Sequence, residues 1–511
     1  MCSIAGITGE DTYHDVDKMI DFMTHRAPDD KGIYRDKFIS LGIGRLKIID
    51  LYSKNLCPYE NEKIVLSFNG EIYNYKSLRG ILSKRGYKFY TKSDTEVLAN
   101  SWIEWGEKIF DKLDGMYAFA IYEKKNKLLY LARDIPGEKP LYYGKFGNKL
   151  YFASEAKALR KILPLKRKND EFFETFQHCL SETLWQNVYQ IPAANYLRYD
   201  LKNGKIRLFE HWKLKKRKIN IKTCEEELED LLKNSIKLRT QSDVPYGLYY
   251  SKGIDSSLIS TFHNFKNKFY FDDQKNWKKD FTRNILKITE HLDFPVGSLS
   301  SYPLWKLAQI TNKKKIKVIL SGEGADEIFG GYVRYMPMYT KWELYKRFGS
   351  YKFLFDKFYP EYAKGFSALT VRNKNVQLVN RLMLPFFEEF EDPINAMGYF
   401  DFKVIMPSLL QMGDRMSAAF GIENRCPFLD KKIIEFGFNL PPKLKINSFY
   451  QKILLRSLLK KRGLSQPLSL EKKGLTILFN KWFKKNDWDR SYYFALLKKN
   501  WINAYNSKRY R

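Results

Sequence analysis

The stretch "YYSKGIDSSLIS" (Tyr249–Ser260) reads as the end of an apolar strand, a tight polar turn and the start of a helix. Such a turn gathers Ser251, Gly253, Ser256, Ser257 and several backbone N–H groups at a helix N-terminus, a nest suited to a di- or polyphosphate. The spacing lacks the GxxxxGK[ST] arrangement of the common P-loop, so that motif does not apply. Asp255 stands where it can hold Mg²⁺, which prefers carboxylate plus phosphate oxygens. Lys252 occupies a position where such loops usually carry a second glycine, and the cost is greatest if the backbone there has positive φ.

A second turn of the same character lies downstream. "ILSGEGADEIFGGY" (319–332) follows the apolar strand "KVIL" (317–320) and offers Ser321, Gly322, Glu323, Gly324 and Asp326. Two glycine-and-acid turns at neighbouring strand ends suggest one nucleotide–metal site built from both. Upstream, "TCEEELEDLLKNSIKLRT" (223–240) reads as a helix with a capping box of Thr223 and Glu226, and with Leu228, Leu231, Leu232 and Ile236 on one face. Strands alternating with helices predict a parallel sheet with ligands at the strand carboxyl ends. Beyond about Tyr332 helical patterns dominate.

The first 200 residues have a different rhythm. Short alternating segments such as "KIVLSFNGEIYN", "MYAFAIYEKKNKLLYLARD" and "PLYYGKFGNKLYFASE" are separated by polar turns, which reads as a largely antiparallel β unit with few helices. The charged segment "KLKKRKINIK" (213–222) loses apolar periodicity and reads as a linker. The division expected is 1–210 and 211–511. A chain of 511 residues, 44% hydrophobic and 16% aromatic, has ample material for two cores.

Composition narrows the function classes. No stretch reaches the roughly 20 apolar residues of a membrane span. "MCSIAGITGEDTYHD" has neither a basic n-region nor an apolar h-region, so a cytoplasmic protein is expected. The five cysteines (Cys2, Cys57, Cys179, Cys224, Cys426) are scattered and lack CxxC spacing, which argues against a disulfide framework or a zinc site. The net charge of +31 is large enough to attract nucleic acid. Its lysines are dispersed with no RRM, KH, zinc-finger or basic-zipper pattern to organise them, so compositional bias accounts for them better.

Cys2 is the first residue with chemical force. Removal of Met1 leaves a cysteine carrying its own α-amine, and that amine can take the thiol proton near neutrality. Arg45 on a strand, Asn69-Gly70-Glu71 at a strand end and Asp94 complete a set matched to a zwitterionic amino acid. Arginine suits its carboxylate, Glu71 and Asp94 suit its ammonium, and the Asn69 amide with the Gly70 N–H suits a developing oxyanion.

The motifs "MCSIAGI", "HRAPDDKG", "GRLKIIDL", "FNGEIYNY", "SDTEV", "DGMYAFAIYE" and "ARDIPGEKPLYY" resemble the glutaminase domain of class II glutamine amidotransferases, in particular the glutamine-hydrolysing asparagine synthetase family. The second half is similar to the synthetase domain of that family. Its first loop looks like the SGGxDSS loop of N-type ATP pyrophosphatases, and "SGEGADE", "MPSLLQMGDRMSAAFGIENRCPFLD" (406–430), "QKILLR" (451–456) and "EKKGL" (471–475) follow in order. The resemblance implies an N-terminal α+β N-terminal-nucleophile glutaminase with an antiparallel sheet sandwich. It implies a C-terminal α/β parallel-sheet ATP pyrophosphatase domain with many helices.

On this resemblance, Cys2 attacks the glutamine amide, forms a thioester and releases ammonia. Arg45, Leu46, Lys47, Ile48, Ile49, Asn69, Gly70, Glu71 and Asp94 hold the glutamine. Tyr250, Ser251, Lys252, Gly253, Asp255, Ser256, Ser257, Phe271, Ser321 and Gly322 contact ATP. Asp255 and Asp326 bind Mg²⁺–pyrophosphate, Lys452 stabilises charge in the transfer, and Glu323 assists formation or use of the acyl-adenylate. The implied acceptor is aspartate or another carboxylate such as a sugar uronic acid, with Arg415, Glu423 and Arg425 as charged candidates near it. The partners implied are small molecules, and a homodimer is compatible with them. A nucleic-acid-modifying pyrophosphatase leaves Cys2 and the glutamine constellation unexplained, while an inactive scaffold draws support only from the departures. These departures are Ile43, where the family often has a polar residue, Lys252, and a 258–320 segment shorter by about one βα unit after "KFYFDD" (268–273).

Overall fold

The computed structural model describes residues 1–53, 56–176, 178–272, 277–346, 376–464 and 490–506. The "EKKGL" stretch (471–475) lies outside them.

Twelve strands build the first part: β1 (Ser3–Thr8), β2 (Asp30–Arg35), β3 (Ile39–Arg45), β4 (Tyr59–Glu60), β5 (Ile64–Ile72), β6 (Gly115–Glu123), β7 (Leu128–Arg133), β8 (Tyr142–Phe146), β9 (Lys149–Ala153), β10 (Val188–Gln190), β11 (Asn195–Asp200) and β12 (Lys205–Glu210). They form two six-stranded sheets of order β10-β8-β9-β1-β3-β2 and β12-β11-β7-β6-β5-β4. Every pairing in them is antiparallel, as the alternating segments predict. Ile4, Ile39 and Leu41 of one sheet share a buried cluster with Val65, Ala118, Leu131 and Leu197 of the other, so the sheets pack face to face. Helix Tyr13–Phe22 covers the outer face of the first through Val16, Met19 and Ile20. Helices Tyr75–Lys84 and Asp94–Trp105 cover the second.

The second part holds a parallel sheet of four strands among the described residues, ordered β14-β13-β15-β16. These are β13 (Tyr246–Tyr249), β14 (Lys268–Phe269), β15 (Val318–Leu320) and β16 (Glu423–Arg425). Helices surround the sheet and follow it, as the second half's periodicity predicts. Helix Cys224–Arg239 buries Leu228, Leu232 and Ile236, with Leu231 partly buried on the same cluster. The expected capping box is not formed: Thr223 makes no side-chain cap bond, and its carbonyl instead accepts from the Glu227 N–H at 3.0 Å. Among the described residues no helix is long and apolar enough to cross a membrane.

The two parts are joined through buried contacts. Val318 at the start of β15 belongs to the cluster of Leu46, Ile48 and Phe68, with Val244 and Tyr246 packed on it. The amino ends of the parallel strands therefore rest on the first part, while their carboxyl ends carry the two polar turns. A second seam is ionic. Arg26 forms a two-pronged pair with Asp414 at 2.8 and 3.1 Å and also reaches Glu155 at 2.9 Å. Arg415 reaches Asp293 at 3.0 Å, and all five side chains are buried. Such a network contributes register more than net stability, since each charge has lost its water.

Candidate active site

The β1–β3 register pairs Ser3 with Gly44, which places Cys2 one step further on beside Arg45. Cys2, Arg45, Leu46, Ile48, Ile49, Gly70, Glu71 and Asp94 line one pocket. Lys47 does not: its N–H donates to Asp29 at 2.8 Å and its ammonium pairs with Asp30 at 3.4 Å, outside the cavity. Arg45 donates to the carbonyls of Ile49, Asp50 and Ser53, so the guanidinium also holds the pocket's own loop in shape.

Asn69 stands against the nucleophile. Its Oδ1 accepts from the Cys2 backbone N–H at 2.8 Å. Its Nδ2 is buried without a hydrogen-bond partner among the described residues, an unspent donor on the side chain that holds the Cys2 N–H. Buried donors are rarely left unmatched, and this one fits an oxygen that arrives with substrate. Gly70 follows with φ of +150°, and a Cβ there would lie 2.0 Å from the Met116 carbonyl oxygen, so only glycine is accommodated.

Burial raises the Cys2 thiol pKa, while the amino terminus, the Leu46 N–H and Arg45 pull it back. Burial also raises Glu71 well above the carboxylate range, against the pull of Arg425. Asp94 is pushed up to about 6 by burial, although it accepts from the Ile72 N–H at 2.9 Å. Met1 itself is buried, with its terminal nitrogen 3.7 Å from Glu423.

At the other end of the parallel sheet the two turns touch. A Cβ on Gly322 would come within 2.9 Å of the Asp255 Cβ, so glycine there lets the turns close on each other. Lys452 precedes helix Ile453–Lys461 and is itself buried. Its Nζ lies 2.6 Å from both oxygens of Asp255 and 2.7 Å from Asp326. Burial works against the ammonium, but the two carboxylates hold it protonated. Asp255 and Asp326 thus converge on one point, the Lys452 ammonium, beside the two polar turns. Among the described residues no group of three or more metal-ligating side chains stands together. Two carboxylates completed by phosphate oxygens is the usual habit of Mg²⁺, and the donor set fits it.

In the first loop the Ser256 hydroxyl accepts from the Ser251 N–H at 3.1 Å. Ser257 is buried and donates to the Tyr250 hydroxyl at 3.3 Å. Lys252 is exposed and adopts φ of +61°, whereas the retained Gly253 has an ordinary φ of −74°. The strained position is therefore the substituted one. Phe271 follows β14 and packs on the rings of Trp277 and Tyr302, with centroids 6.1 and 6.2 Å away.

β16 was not legible in the sequence as a strand, because "ENR" carries no apolar signal. It separates the two sites. Arg425 reaches Glu71 at 3.0 Å and Glu423 at 2.8 Å, whereas Asn424 accepts from the Ser321 hydroxyl at 2.7 Å. Arg415, Glu423 and Arg425 were expected near the carboxylate acceptor, and that placement is corrected. All three are buried against residues of the first part, because strand alternation turns 423 and 425 that way and Arg415 enters the ionic seam. Sequence reasoning also missed Arg26, Asn424 and Cys426. "HRAPDD" and "ENRCPFLD" contain them, but neither motif says which way its side chains face.

A pocket lined by Cys2 on an antiparallel sandwich, joined to two polar turns at the ends of a parallel sheet, is the layout of a two-site amidotransferase. Residues 1–212 match the family model described as glutamine amidotransferase domain, and residues 227–268 and 274–492 match the one described as asparagine synthase. The chain is 30% identical to a Bacillus subtilis asparagine synthetase named as glutamine-hydrolysing, over 100% of this chain and 92% of that one. It is 31% identical to a putative asparagine synthetase of Methanocaldococcus jannaschii over 66% of this chain and 77% of that one. Identity is 28% to asparagine synthetase B of Escherichia coli, over 85% and 74%. The chain belongs to the asparagine synthase family. Within that second model the match skips residues 269–273, which begin in the two-residue strand β14 at the edge of the parallel sheet.

Proposed function

We propose that this protein makes asparagine from aspartate, ATP and glutamine, with residues 1–210 acting as the glutaminase and 211–511 as the synthetase. Once Met1 is removed, the freed Cys2 amine takes the thiol proton and the thiolate adds to the glutamine amide carbon. The Asn69 Nδ2 and the Gly70 N–H stabilise the oxyanion. The proton passes to the leaving nitrogen as ammonia departs, and water then releases glutamate from the thioester. Arg45 addresses the glutamine carboxylate, and Glu71 and Asp94 its ammonium.

In the second site the aspartate side-chain carboxylate attacks the α-phosphorus of ATP and pyrophosphate leaves. Asp255 and Asp326 hold Mg²⁺, which neutralises pyrophosphate charge when bound. Lys452 adds its ammonium, and the Ser251–Ser257 loop with Ser321 and Gly322 cradles the nucleotide. Ammonia then adds to the acyl-adenylate carbon, its proton passes to Glu323, and AMP leaves.

The observation that carries this reading is β16, whose three residues touch both sites at once: Arg425 on Glu71 and Asn424 on Ser321. A shared wall suits transfer of ammonia without loss to water as ammonium. Incubation with ATP, Mg²⁺, glutamine and a panel of carboxylates, reading AMP, pyrophosphate and amide, is the test. Asparagine formed only in the presence of aspartate is the expected result. AMP formation with a uronic acid and none with aspartate would reassign the acceptor.

A further inference from the structure

Glu323 follows β15 in the second turn, and three side chains converge on it. Ser321 directly follows the strand and donates to Asn424 Oδ1 at 2.7 Å. That bond fixes the amide's orientation, because a hydroxyl hydrogen bound to Oδ1 leaves the Nδ2 hydrogens facing the other way. On that side Nδ2 lies 3.8 Å from the Cys426 sulfur, and the sulfur lies 3.9 Å from a Glu323 carboxylate oxygen. Gly413, on helix Met406–Ala418, gives an independent bearing. A Cβ built on it would sit 3.5 Å from Asn424 Nδ2 and 3.9 Å from Glu323 Oε1, so both groups border the same space above that glycine. Burial raises the Glu323 carboxyl, and the polar side chains around it, Asn424 and Cys426 among them, pull it back down.

We propose that Asn424 is a positioning residue for Glu323: its amide, locked by Ser321, donates toward the carboxylate and holds it where it can take the proton from ammonia during acyl transfer. The inference rests on the role given to Glu323 above. The step itself is balanced by groups already named. A C–N bond forms between ammonia and the acyl carbon, one N–H proton moves to Glu323, and the C–O bond to AMP breaks. An amide donor engages one carboxylate oxygen and leaves the other oxygen's lone pairs for that proton. Asparagine also carries no charge of its own to compete for it. Alternation along β16 is what delivers Asn424 here while its neighbours Glu423 and Arg425 face the glutaminase.

The test uses the full chain supplied with ammonium in place of glutamine, so that Cys2 is bypassed. Asn424→Ala lowers kcat roughly tenfold to a hundredfold, the range for losing a hydrogen bond to a charged group, while KM for aspartate stays within about twofold. Asn424→Asp keeps the shape and the acceptor for Ser321 but sets a negative charge beside Glu323, and it falls below Asn424→Ala. A purely structural role predicts the opposite order. Asn424→Ser, a smaller side chain that keeps a donor, retains more activity than Asn424→Ala. In a Glu323→Gln background the difference between the Ala and Asp variants disappears. Glutamine hydrolysis in the same samples reports that each variant is folded.

Asn424→Asp at or above Asn424→Ala overturns the proposal and leaves the role of Glu323 standing. A rise in KM for aspartate at constant kcat also overturns it, by making Asn424 a direct acceptor contact. Full ammonia-dependent synthesis by Glu323→Gln alone removes the role of Glu323 and the proposal with it.

Discussion

Arg425 Nη2 lies 3.0 Å from Glu71 Oε1, which brings a guanidinium from the synthetase sheet into the wall of the glutamine pocket. The same guanidinium reaches Glu423 at 2.8 Å and donates to the backbone carbonyls of Arg239 and Gln241. One buried cation therefore serves two carboxylates and two carbonyls across the boundary. Arg425→Met leaves the Glu423 carboxylate buried without its counter-charge, at a cost of about 3–5 kcal/mol. The expected outcome is a lower melting temperature together with a higher KM for glutamine. Adding Glu423→Gln to that variant restores part of the stability and none of the glutamine affinity.

Cys2→Ala abolishes glutamine-dependent synthesis and keeps turnover with free ammonium. Asn69→Ala keeps the thiol but removes the unspent Nδ2 donor. It lowers kcat for glutamine hydrolysis by about 10²–10³, the usual cost of one oxyanion donor, with ammonia-dependent synthesis unchanged. Steady-state glutamate and asparagine assays separate the two effects. Glutamine-dependent synthesis surviving in Cys2→Ala would remove the nucleophile assignment.

Asp94 is raised to about 6, first by burial. The charged form pairs with the substrate ammonium, and protonation removes that pairing. KM for glutamine is therefore level above about pH 6 and climbs as pH falls below it, approaching tenfold per pH unit if Asp94 must be ionised. In Asp94→Asn this acid limb is absent and KM is high throughout. A KM profile of the parent protein that stays flat to pH 5 would show that Asp94 does not bind the ammonium.

Lys252 holds φ of +61° on an exposed loop. A non-glycine residue in that region carries about 1–2 kcal/mol of strain, and the glycine replacement gives back about 0.5–1 kcal/mol through the unfolded chain. Lys252→Gly is expected to raise stability by about 0.5–1 kcal/mol in thermal melts, net of both effects. KM for ATP stays within about twofold, because the side chain points to solvent. A clear rise in that KM would mean that the ammonium reaches the pyrophosphate.

Much of the molecule was readable before folding. Period-two segments such as "KIVLSFNGEIYN" became antiparallel strands because each shows one face to a core. The turns "SKGIDSS" and "SGEGADE" sit at strand ends because glycine, serine and acids cannot continue a buried strand. Local chemistry also marked Cys2, Asn69, Asp255 and Asp326. The misreadings have a common cause. Arg415, Glu423 and Arg425 are charged residues with partners in the first part of the chain, Lys47 turns out of the pocket to Asp30, and β16 has no apolar period because charge pairs from the other part satisfy it.

By itself the sequence determined the two rhythms, the polar turns at the strand ends and the glycines that permit them, since these depend on neighbours within a few residues. The tertiary structure alone decided that β16 runs between the Cys2 pocket and the second polar turn, that Asn424 faces Ser321 while Arg425 faces Glu71, and that Lys452 stands between Asp255 and Asp326. Those relations join residues up to 354 positions apart, as Arg425 and Glu71 are. Only the packing of one sheet's amino ends against the other part brings such side chains out of water and into contact.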